Sequence, residues 1–107
     1  MSIAEAHARL TAPGERLEIA EIPIRGIATR VWKNAPPTLR DVFLNARGFP
    51  DREFLVYDDE RATYEAFARA TLTLARQLQA DGVKKGDRIA VIMRNLPEWP
   101  VAFFAGV

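Results

Sequence analysis

One run constrains this chain more than any other stretch: Ile89-Ala90-Val91-Ile92-Met93, apolar at every position. An uninterrupted apolar run of this length, bounded by polar residues, marks a strand buried on both faces, the usual state of a central parallel strand. Ahead of it lies the longest periodic segment. Thr63 is placed as an N-cap, and Glu65 puts a negative charge in the first turn, where it is favoured. Phe67, Thr71, Leu74 and Leu78 then recur at helical spacing, with Ala68, Leu72 and Ala75 as a second stripe beside them. So wide an apolar face predicts a helix over 63–81 that is covered on two sides. Gly82 is the left-handed residue expected just past its end. With an apolar strand at 53–57 ahead of the helix, the order is strand–helix–strand, right-handed if the two strands are parallel neighbours.

The rest of the chain is punctuated clearly. "SIAEAHARL" predicts a short helix over 2–10 with Ser2 as its N-cap, stopped by Pro13 and Gly14. Two alternating segments follow. Leu17, Ile19, Ile22 and Ile24 lead to Arg25–Gly26; beyond it Ile27, Thr29, Val31 and Lys33 fall on one side, and Ala28, Arg30 and Trp32 on the other. This is strand, tight turn, strand, with Gly26 free to take positive φ. Pro23 has no N–H for a ladder, so its strand is an edge or is interrupted there. After "NAPP", Thr38 caps a helix whose face carries Leu39, Val42, Phe43 and Ala46, with Gly48 at its end. "EFLVYDDERATY" predicts a second hairpin turning at Asp58–Asp59–Glu60. At the far end, Asn95 and Glu98 have the spacing of a capping box for a last helix. Pro97 suits its first turn, whereas Pro100 moves the expected start one or two residues later.

Composition bounds the function classes. At 107 residues the chain is one small domain or part of one, and with 49% hydrophobic residues it is globular rather than disordered. A net charge of +1 gives no electrostatic case for nucleic acid or an anionic membrane as the main partner. Charge is nonetheless uneven. Arg25, Arg30, Lys33 and Arg40 have no acid among them, whereas the stretch 41–65 carries seven acids against three bases. Complementary surfaces within one fold account for this. With no cysteine, disulfides, thiolate chemistry and cysteine-ligated metals are excluded, which fits a cytoplasmic protein. The N-terminus lacks the apolar core of a signal peptide, and no apolar run reaches the ~20 residues of a membrane span.

No motif carries chemistry. His7 is the sole histidine; on a short terminal helix it reads as a solvated side chain, and alone it builds neither a metal site nor a triad. "GVKKGD" is no phosphate loop, because it closes a helix and opens a strand, and no Ser or Thr follows its lysines. Lys84 and Lys85 read as a solvated turn that complements the negative end of the preceding helix. Asp58, Asp59 and Glu60 sit at a hairpin tip, without the burial or outer shell that a metal or an acid catalyst needs. The expected site residues are therefore none, whether catalytic, cofactor-binding or metal-binding.

The order of elements is more informative than any single residue. "ATYEAF" (62–67) is similar to the leucine–threonine–tyrosine–x–glutamate–leucine motif of the adenylate-forming superfamily, with Ala62 and Phe67 departing from it. "GVKKGDRIAVIMRNLPEW" (82–99) is similar to that superfamily's Gly-Val-x-x-Gly-Asp segment with its following Asn and Pro-Glu, and Pro100 departs from the aliphatic residue usual there. Residues 36–107 resemble the N-terminal part of the AMP-forming acyl-CoA synthetases, or fatty-acid–CoA ligases. Residues 15–35 look like the extra N-terminal hairpin of some of them. The resemblance implies an α/β fold: an N-terminal piece of the large adenylate-forming domain, with two β-hairpins and a strand–helix–strand unit ending in a truncated helix. It implies a helix-and-hairpin extension over 1–35 and an incomplete ligase subdomain over 36–107.

For the parent protein it implies ATP, Mg2+ and coenzyme A as cofactors and a fatty or other carboxylic acid as substrate. The acid would become an acyl-adenylate and then an acyl-CoA, with release of AMP. The motifs matched here are structural in that family, so no functional residue carries over and this chain by itself is expected to be inactive. Its expected partners are the remainder of the parent chain and, through Trp99, Phe103 and Phe104 of the last helix, another copy of itself. A self-contained, non-catalytic interaction or regulatory module of similar fold is the alternative.

Overall fold

The computed structural model describes all residues from Met1 to Val107, in two compact units, Met1–Pro37 and Thr38–Val107. In the first unit, α1 (Ile3–Leu10) begins on a complete capping box. The Ser2 hydroxyl accepts from the Glu5 N–H, and the Glu5 carboxylate accepts from the Ser2 N–H at 2.6 Å. Two of the helix's otherwise orphaned donors are thereby satisfied. The antiparallel strands β1 (Ile19–Ile24) and β2 (Ile27–Trp32) meet in a two-residue turn. Arg25 and Gly26 both take positive φ, 50° and 81°, the turn geometry that matches the right-handed twist of a hairpin. Pro23 lies opposite Ala28, in a two-stranded sheet where each strand is an edge, so its missing N–H costs nothing on the outer side.

The second unit holds the core. Its elements are α2 (Leu39–Ala46), β3 (Glu53–Tyr57), β4 (Glu60–Thr63), α3 (Tyr64–Ala80) and α4 (Glu98–Ala105). The hydroxyls of Thr38 and Thr63 accept from the N–H groups of Asp41 and Ala66, so each threonine caps its helix as the sequence predicts. At the other end of α3, Val83 N–H donates to Leu78 O and Gly82 N–H to Gln79 O, while Gly82 adopts φ 96°. This pair of bonds closes the helix in a Schellman turn.

β3 and β4 pair antiparallel with a bulge between Glu53 and Leu55, which leaves Phe54 as the extra residue. A bulge re-aims a side chain, and here Phe54 packs against the buried trio Phe43, Phe67 and Ala68, as do Val101 and Phe104.

Two expectations are corrected. Ile89–Met93 forms no strand, and Ile92 is 93% exposed. The strand–helix–strand unit is therefore absent: β3 pairs only with β4, and the run finds no ladder. Apolarity records that a segment is suited to burial, but a parallel strand also needs a neighbour for its N–H and C=O groups, which the run itself cannot encode.

Asn95 does not cap α4; Pro97 occupies that position with no side-chain cap, and the helix starts at Glu98, two residues later, within the shift that Pro100 predicted. A cap at Asn95 would have needed Leu96, which precedes a proline, to turn helical, and would have put Pro100 at the fifth helical position, where the ladder wants an N–H. Starting at Glu98 puts Pro100 at the third helical position, where a missing N–H is tolerated.

Candidate functional site

Functional groups must converge to do chemistry, so the site question reduces to what the folded chain brings together. The tightest convergence is aromatic. Phe54 stands between Tyr64 and Phe67, with ring centroids 4.8 and 4.4 Å away. Phe43 meets Phe67 edge-on at 5.8 Å. Phe104 reaches both, at 6.0 Å from Phe43 and 5.8 Å from Phe67. Phe104, expected from the sequence to meet another copy of the chain, thus packs within its own unit and completes the core. Trp99 and Phe103 stack on each other at 5.2 Å with nearly parallel rings, at the outer side of this cluster. Such contacts bury area and fix geometry, but they carry no acid, base or nucleophile.

One polar group is caught in this core. Thr71 is 2% exposed, and its Oγ1 has no hydrogen-bond partner. Nothing in the helix pattern distinguishes it from the apolar residues beside it, since threonine serves as a near-isostere of valine on a core face.

The polar residues singled out from the sequence stay apart. His7 is exposed, its imidazole makes no hydrogen bond, and it borders a shallow cleft of about 320 Å³ with Ile19, Arg30, Val31 and Trp32. Asp58, Asp59 and Glu60 are all exposed; Asp58 takes φ 48° at the turn, and the Arg61 guanidinium donates to the carbonyls of Asp58 and Glu60. No three His, Asp or Glu side chains are placed to share a metal ion. Of the basic stretch, Lys33 is paired with Glu18, whereas Arg40 belongs to the other unit.

Lys84 and Lys85 form a closed turn. The Lys84 N–H donates to the Asp87 carboxylate at 2.8 Å, the Asp87 N–H returns to Lys84 O, and Gly86 takes φ 99°. The Lys84 and Asp87 donors are spent internally and no helix starts behind the turn, so it lacks the architecture of a phosphate loop.

Sequence reasoning missed Glu18. Its carboxylate accepts from Lys33 Nζ at 2.8 Å and from the Gly14 N–H at 3.0 Å, and its carbonyl accepts from the Lys33 N–H. The Lys33 ammonium first, then the Gly14 N–H, hold this carboxyl below its ordinary range. The bonds from Ser2 lower Glu5 in the same way. Glu18 ties the loop before β1 to the end of β2. Its side-chain partners lie 4 and 15 residues away, a spacing that matches no local pattern.

What the second unit offers is thus a packed scaffold of two helices against a hairpin, with a third helix closing it. Comparison with known proteins gives that scaffold a family. Residues 42–107 match the profile of the AMP-binding enzyme family. The chain belongs to that family. It is similar to the long-chain-fatty-acid–CoA ligase of Bacillus subtilis (strain 168), 31% identical over 68 residues, which is 63% of this chain and 12% of that protein. The 2-succinylbenzoate–CoA ligase of the same organism is 36% identical over 56 residues, 52% of this chain and 12% of the relative. Pyochelin synthetase PchE of Pseudomonas aeruginosa is 37% identical over 65 residues, 61% of this chain and 4% of the relative. The chain therefore spans about an eighth of the length of these CoA ligases. No solved structure matches it.

Proposed function

We propose that this chain is the N-terminal portion of an ATP-dependent acid–CoA ligase, and that its contribution to the enzyme is architectural. The observation that carries the reading is the coincidence of the family match, residues 42–107, with the unit that contains every buried residue: Phe43, Phe67, Ala68 and Thr71. The part of the chain that resembles the ligases is the part that packs. A fatty acid is the proposed acyl substrate of the parent enzyme, on the strength of the long-chain-fatty-acid–CoA ligase relative. ATP, Mg2+ and coenzyme A are the parent's proposed cofactors, and none of them is held by residues of this chain.

The reading is tested by ATP–pyrophosphate exchange with a panel of carboxylic acids. The 107-residue chain is expected to give no exchange above buffer. A protein that continues this sequence to the full length of the ligase relatives is expected to exchange, most strongly with fatty acids. Exchange by the 107-residue chain would overturn the architectural role, and an inactive longer protein would overturn the ligase assignment. A longer protein that prefers a short acid would replace only the proposed substrate.

A further inference from the structure

We draw no further inference here: the strongest candidate, the shallow cleft of the first unit where His7 of α1 and Arg30 of β2 stand beside Trp32, is an open face, and nothing in the structure shows what covers it.

Discussion

The two units of this chain are held by different forces. In Thr38–Val107 the helices and hairpin converge on interlocked aromatic rings, and Phe67 at their centre is 3% exposed. In Met1–Pro37 no residue is buried, and Ile3, Ile22, Ile24, Ile27 and Trp32 all face solvent. What fixes that unit is polar: the Ser2–Glu5 capping box and the Glu18 clasp on Lys33 and Gly14. A two-stranded hairpin alone is marginal in water, and exposed charge pairs add little. The core is therefore expected to set the stability of the second unit, and pH-sensitive contacts to set the order of the first.

The sharpest way to break the contrast is F67A. It removes the ring shared by Phe43, Phe54 and Phe104, and truncation of a buried phenylalanine costs about 3–5 kcal/mol. Urea denaturation followed by circular dichroism is expected to show α3 melting at far lower denaturant, or unfolded from the start.

T71V works in the opposite direction. Valine keeps the shape and removes a buried hydroxyl without a partner, so a gain of about 1 kcal/mol is expected in the same assay. A loss would mean that Oγ1 is hydrogen-bonded in solution.

Next is the cap. T63A deletes the acceptor for the Ala66 N–H, and the second unit is expected to lose about 1 kcal/mol.

The smallest effect lies in the first unit and depends on acid. Glu5 and Glu18 are both held below the ordinary carboxyl range, so the ordering they supply is complete above that range and is lost as pH falls through their lowered values. NMR chemical shifts of β1 and β2 are expected to move toward random-coil positions over that acid window, and K33M is expected to leave a smaller acid-dependent change.

Much of this architecture was legible because its signals are local. Thr38 and Thr63 cap, Gly26 and Gly82 take positive φ, and each is decided by residues within one turn of it. The failures are non-local or involve competing local rules. Ile89–Met93 announces its apolarity but not its neighbour. Asn95 and Glu98 have the capping-box spacing, yet Pro97 between them and Pro100 just beyond decide where the helix starts. Phe104 gave no sign that it would meet Phe43, from which it is separated by most of the unit. The Glu18 clasp, built across a loop, could not be read from composition or motif order.

Amide hydrogen exchange, read residue by residue at neutral pH, tests the contrast between the units most directly. Backbone groups open with free energies that follow the packing around them. The account predicts that the slowest amides lie in α3 around Phe67 to Leu74, and that β1 and β2 exchange orders of magnitude faster. Amides of β1 and β2 as slow as those of α3 would contradict it, because the first unit would then have a core of its own.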